Sequence, residues 1–189
     1  IGKNSAKHIQ QLANGSDDRS VESGHDAKSI SGETTFDQDQ HDPQQIRAAL
    51  MQQVERVGPP LRSSGLLAST ATLKIRFSPF ETLLRQKPLK PHTHHDQALI
   101  EAAGDLLDAI PLHNPVRLIG FGVTGLHPPG QLVQADLFAQ ADSPEDQTKN
   151  KKLDETLDQI RTQYGTQKIQ HASALKPAYK KHSPDIPPE

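Results

Sequence analysis

Cysteine is absent from this 189-residue chain, and so is tryptophan. Without cysteine there is no disulfide framework, no thiolate metal site and no cysteine nucleophile. Aromatic residues make up 4% of the sequence and hydrophobic residues 33%. That composition limits the chain to one modest core with loose polar stretches around it. No apolar run is long enough to span a bilayer, and no secretory signal stands at the start. A cytoplasmic protein with no membrane association is the expectation. The formal net charge is -2, so affinity for nucleic acid would have to come from local asymmetry. The first residue is Ile1, which makes a fragment of a longer protein the expectation.

What is present is one strongly patterned stretch, Ala71 to Leu89. Ala71, Leu73, Ile75 and Phe77 alternate with Thr72, Lys74 and Arg76. A period of two marks a strand with one buried and one wet face. A tight connection at Ser78-Pro79 leads into a second strand that carries Arg85 and Lys87. From Arg62 to Lys90 the cations Arg62, Lys74, Arg76, Arg85, Lys87 and Lys90 face a single acid, Glu81. Basic side chains on an open sheet face are placed to meet a phosphate backbone. The plainer reading is a solvated strand face whose charges guard an edge.

The remaining elements follow from spacing and punctuation. Lys3–Asn14 reads as a short helix with Ala6, Ile9 and Leu12 or Ala13 on one stripe and Gly15 ending it. Ser16–Ala27 is a polar, acidic linker. Lys28–Asp37 is a strand with Ile30, Thr34 and Phe36 on one face. Asp42 caps a helix that opens on Pro43 and carries Ile46, Leu50, Val54 and Val57. Gly58-Pro59-Pro60 should break or kink it, because neither proline has a backbone donor. After the hairpin come a loop, Pro91-His92-Thr93-His94-His95, and a helix from His94 to Ile110 ended by Pro111. Val116–Leu126 is the last strand. The order is βαββαβ, the split βαβ pattern of an α+β, ferredoxin-like domain. Its two helices should cover one face of a four-stranded sheet and leave the basic hairpin on the other. The expected segments are therefore 1–15, a helical end piece; 16–27, the linker; 28–127, the domain; 128–140, a turn-rich spacer with a short motif; and 141–189, a polar, largely disordered tail with one short helix on Leu153, Leu157, Ile160 and Tyr164.

Several motifs fail on context. Gly120-Phe121-Gly122-Val123-Thr124-Gly125 matches a dinucleotide fingerprint, but Pro128-Pro129 cannot open the helix that a pyrophosphate needs. Gly2-Lys3-Asn4-Ser5 resembles the end of a phosphate loop with its hydroxyl one residue late. His92, His94, His95 and Asp96 sit in a proline-flanked loop without the convergent support that a metal site requires, so no metal site is expected. No nucleophile has a base and an orienting partner, and no catalytic residue is assigned. Gln134-Ala135-Asp136-Leu137-Phe138 stands out instead, with an apolar pair in a polar segment just past the domain. Such pairs serve as anchors that enter a partner's pocket.

Taken in order, these pieces resemble the C-terminal part of Y-family translesion DNA polymerases, in the DinB or DNA polymerase IV branch. GKNSAKHIQQLANGSDDRSV resembles the thumb end and tether, KSISGETTF the first little-finger strand, TLKIRFSPFETLLRQKPL its hairpin, and NPVRLIGFGVTGL its last strand. QADLF resembles the bacterial sliding-clamp-binding pentapeptide, and YGTQKIQHAS a C-terminal segment common in the branch. Of the family's hairpin pattern F-x-T-x-T-R-S-x-T-L, Phe80, Thr82, Arg85 and Leu89 match, whereas Leu84, Gln86 and Pro88 replace a threonine, a serine and a threonine. The resemblance implies a monomer whose little finger binds double-stranded template-primer DNA through its backbone. Ser29, Ser31, Lys74, Arg76, Thr82 and Arg85 would contact phosphates, and Gln134, Leu137 and Phe138 would engage a sliding clamp. It also implies that the catalytic carboxylates and their magnesium ions lie in a palm domain before this sequence, so this chain would hold no cofactor and be inactive alone. The competing expectations are a free-standing ferredoxin-like module that stacks bases of single-stranded RNA, with Phe77 and Phe80 as its candidates, and a clamp-binding adaptor that does not touch DNA.

Overall fold

The computed structural model describes residues 2–17, 19–20, 27–130, 144–166 and 168–175. The first helix, α1, spans Lys3–Ala13. It ends as its sequence indicates: Gly15 takes φ +73° and the Ser16 N–H donates to the Gln11 carbonyl at 2.9 Å, closing the last turn through a left-handed residue.

The domain follows as β1 (Ser29–Gln40), α2 (Pro43–Ser63), β2 (Ala68–Phe77), β3 (Thr82–Thr93), α3 (Asp96–Asp108) and β4 (Val116–Thr124). This is the expected βαββαβ order and the expected α+β fold. The strands form one antiparallel sheet in the order β1-β4-β2-β3. Asp42 caps α2, its carboxylate accepting from the Gln44 N–H at 2.9 Å. Leu50, Val54, Val57 and Leu61 of α2 and Leu99, Ala103 and Leu107 of α3 are buried with Ala71, Leu73, Ile75, Phe121 and Val123 in one core. Both helices therefore cover the same face of the sheet. The alternation that made β2 legible is the reason: one set of its side chains is fully buried and the other is partly exposed.

Several boundaries differ from the sequence reading: β1 runs on to Gln40, β4 ends at Thr124, and the helix of the tail, expected to be short, has 21 residues. The expected break at Gly58-Pro59-Pro60 does not occur, and α2 continues through both prolines to Ser63. Proline's fixed φ suits a helix, so the cost is confined to two missing donors and ring crowding. The extra turn is retained because Leu61 is fully buried and Arg62 bonds Asp96 and Asp158. The loop expected at 91–95 is shorter, since Pro91, His92 and Thr93 complete β3 and α3 opens only at Asp96. Both prolines of β3, Pro88 and Pro91, lie on an edge strand, where a missing donor is tolerated.

A fourth helix, α4, spans Pro144–Tyr164, and a single 3-10 turn covers Ala172–Ala174. The turn docks on α2: Ala174 is fully buried and its carbonyl accepts from Gln52 Nε2 at 3.0 Å. The Arg62 guanidinium of α2 donates to Asp158 of α4 at 2.7 and 2.8 Å.

Candidate nucleic-acid interface

Antiparallel register places directly opposed residues on the same face. Four rows cross the sheet on the side away from the helices. They are Ser29–Thr124–Thr70–Pro88, Ser31–Gly122–Thr72–Gln86, Glu33–Gly120–Lys74–Leu84 and Thr35–Leu118–Arg76–Thr82. The rows between them, such as Gly32–Phe121–Leu73–Arg85, face the core.

The centre of the open face is bare backbone. An added Cβ at Gly120 would lie 2.8 Å from the Glu33 Cβ, and one at Gly122 would lie 2.7 Å from the Ser31 Cβ. Glycine at both positions lets β1 approach β4 closely and leaves a shallow groove of about 280 Å³. Ser29, Ser31, Thr72 and Lys74 line it. Lys74 Nζ reaches across Gly120 to Glu33 Oε2 at 2.8 Å, and Arg76 Nε donates to Thr82 Oγ1 at 3.0 Å. Thr72 Oγ1 is buried and has no hydrogen-bond partner among the described residues. The face thus offers hydroxyls and two cations around two glycines that β1 covers. On its two central strands it carries no aromatic side chain among the described residues: Phe77 and Phe121 point into the core, and Phe80 stands exposed at the hairpin tip.

Of the residues singled out from sequence, Ser29, Ser31, Lys74, Arg76 and Thr82 share this face. Arg85 does not. It opposes Leu73 and leaves from the helix side of the edge strand, where Arg85 Nη1 bonds the Leu84 carbonyl. Lys87, opposite Ala71, also leaves toward the helices and pairs with Asp105 of α3. The basic hairpin therefore divides between two surfaces. Leu84, Gln86 and Pro88, the three departures from the family's hairpin pattern, all lie on the open face, so β3 presents fewer hydroxyls there than that pattern would. Gln134, Leu137 and Phe138 lie outside the described residues. Sequence reasoning missed Thr72, Glu33 and the role of Gly120 and Gly122. The clue was glycine at alternate positions of a predicted strand, which strips one face and spares the other.

The histidines of the β3–α3 junction have separate partners. His92 Nδ1 meets His127 Nε2 at 2.6 Å, His95 Nδ1 meets Asp154 Oδ2 at 2.8 Å, and Asp96 receives Arg62 at 2.6 Å. Burial, and then the neighbouring His127, lower the pKa of His92. Burial, and then His95 and Arg62, lower that of His94. Among the described residues no group of three or more His, Asp or Glu is placed to hold a metal ion.

Comparison with known proteins gives the family. Residues 27–137 match the impB/mucB/samB family C-terminal domain. The chain belongs to this family. It is 37% identical over 141 residues to the DNA polymerase IV of Streptomyces coelicolor, covering 75% of this chain and 29% of that protein. It is 33% identical over 167 residues to the DNA polymerase IV of Dehalococcoides mccartyi, covering 87% of this chain and 41% of that protein. The resemblance to the DNA polymerase IV branch is thus borne out, and the chain spans well under half the length of these relatives. Among solved structures, the little finger domain of PolIV in complex with the β-clamp processivity factor aligns at a TM-score of 0.43 and 22% identity, over 58% of this chain and 98% of that chain. No helix among the described residues is long and apolar enough to cross a membrane.

Proposed function

We propose that this chain is the DNA-gripping little-finger region of an error-tolerant DNA polymerase, and that the open sheet face holds the backbone of template-primer duplex. The observation that carries the reading is the open face itself. Hydroxyls from all four strands, two glycine positions and two cations share it, and the central strands hold no ring on which a base could stack. Contacts of that kind position a protein on DNA without reading sequence, which suits an enzyme that must accept misshapen templates. The missing aromatic platform also weighs against a base-stacking RNA module. Phosphoryl transfer would belong to the parent polymerase's other domains.

The proposal extends to a sliding clamp. Its support is the sequence Gln134-Ala135-Asp136-Leu137-Phe138. Gln134 would bond at the pocket rim while Leu137 and Phe138 fill the cleft, tethering the polymerase by effective concentration. A fluorescence-anisotropy titration of the chain with labelled duplex, alongside a pull-down on a bacterial clamp, separates the two sites. The double variant Leu137→Ala, Phe138→Ala should lose the clamp and keep the duplex. Loss of both together would contradict two independent sites.

A further inference from the structure

We infer that Glu33 is an internal stand-in for phosphate on Lys74, and that a DNA phosphate oxygen displaces it from the groove when duplex binds. The inference rests on the proposed DNA-binding reading and adds a regulator to it. Lys74 stands in the middle of the open face, yet its ammonium is committed to Glu33 at 2.8 Å. The two belong to different strands, β1 and β2, with β4 between them. They meet across the central strand because the position between them is Gly120. The pair is therefore built by the sheet, not by a flexible loop. A carboxylate so placed does two things to an approaching phosphate: it occupies the cation, and it adds a like charge at the point of contact.

A second observation points to the same spot. Thr72 is one row along on the same strand, and its buried Oγ1 finds no partner among the described residues. A buried hydroxyl without a partner is costly, and a ligand atom is one way to satisfy it. Thr72 and Lys74 line the same groove, with Ser31 beyond Gly122 on its far side. One phosphate could take its hydrogen bond from Thr72 and its charge partner from Lys74, provided that Glu33 lets go. An exposed ion pair is worth little in water, so Glu33 yields readily to a polyanion. Its effect is to lower affinity and to blunt the salt response, because the released carboxylate partly cancels the cation delivered to the DNA.

The test uses the full chain, labelled template-primer duplex and anisotropy across a salt series, for wild type, Glu33→Gln, Lys74→Gln and Thr72→Val. Glu33→Gln should bind more tightly at low salt, by severalfold. Its log K against log salt should be steeper by up to about one unit, the weight of a single phosphate contact. Lys74→Gln should weaken binding and flatten the slope, and Thr72→Val should weaken binding without changing the slope. In the double variant Glu33→Gln, Lys74→Gln, the gain from removing Glu33 should shrink. If Lys74→Gln weakens binding but Glu33→Gln leaves it unchanged or weaker, the stand-in is wrong and the DNA face survives. If the wild type does not bind duplex at all, both fall. Circular dichroism melts of each variant tie the comparison to folded protein.

Discussion

The carboxylate, hydroxyl and glycine positions of the open face set what a single residue can do here. Gly120→Ala and Gly122→Ala would each drive a methyl group to within 3 Å of a β1 side chain. Overpacking of this kind costs about 1–3 kcal/mol, so both variants should lower the urea midpoint, and a midpoint equal to wild type would refute the close approach of β1 to β4. The histidines supply the pH dependence. His92 and His94 both titrate below the ordinary 6.5, chiefly because burial disfavours the charged ring. The unfolded chain therefore binds more protons than the folded one as pH drops from 6.5 toward the lowered values. Stability is fully present above that window and is lost as pH falls through it. Melting temperature should drop as pH falls below 6.5, and His94→Gln should reduce the drop; an unchanged profile in that variant would remove His94 from the account. Arg85 shows where single residues were illegible. Its charge was plain in the sequence, but its face depends on a one-residue choice of register.

At the scale of elements, α4 carries the clearest lesson. Its leucines mark a helix, and a helix is present, yet Leu153 and Tyr164 are exposed while Asp154 and Arg161 are buried. The surface that receives α4 is charged. Asp96 is 2% exposed, and it pairs with Arg62 at 2.6 Å and with Arg161 at 3.5 Å. Glu55 adds a second partner for Arg161 at 3.6 Å. Hydrophobic periodicity assumes an apolar receiving surface, so where the receiver is an ion-pair network only Leu157 and Ile160 of the expected stripe are half-buried. Burial opposes the charge on Arg62, but hydrogen bonds to Asp158 and Asp96 outweigh it and hold the guanidinium protonated. Arg62→Ala leaves the buried Asp96 without its closest counter-charge. Breaking a buried pair on one side costs about 3–5 kcal/mol, and guanidinium denaturation should show a loss of that order. A loss below about 1 kcal/mol would mean that the pair behaves as a surface one. The same network explains why α2 continues through Pro59 and Pro60: its last turn delivers Arg62. Gly58 makes room for the contact, since a Cβ there would lie 2.0 Å from Asp96 Oδ1.

For the molecule as a whole, element order and core were written in the alternation of β2 and the helical spacing of α2 and α3, and the fold follows them. Strand order and register were not, because the chain specifies them through contacts between β1 and β4 that are far apart in sequence. Those contacts decide which cations share a surface. The most direct measurement compares charge removal on the two faces. Lys74→Ala with Arg76→Ala acts on the open face, and Lys87→Ala acts on the helix side, with duplex affinity read by anisotropy at fixed salt. One lost charge-assisted contact is worth about 1.5 kcal/mol or more, which is about tenfold in affinity. The open-face pair should therefore lose at least that factor equally on unrelated duplex sequences, and Lys87→Ala should bind nearly as wild type. If Lys87→Ala loses as much as the open-face pair, or if the open-face pair binds unchanged, the uncovered face of the sheet is not where the duplex lies.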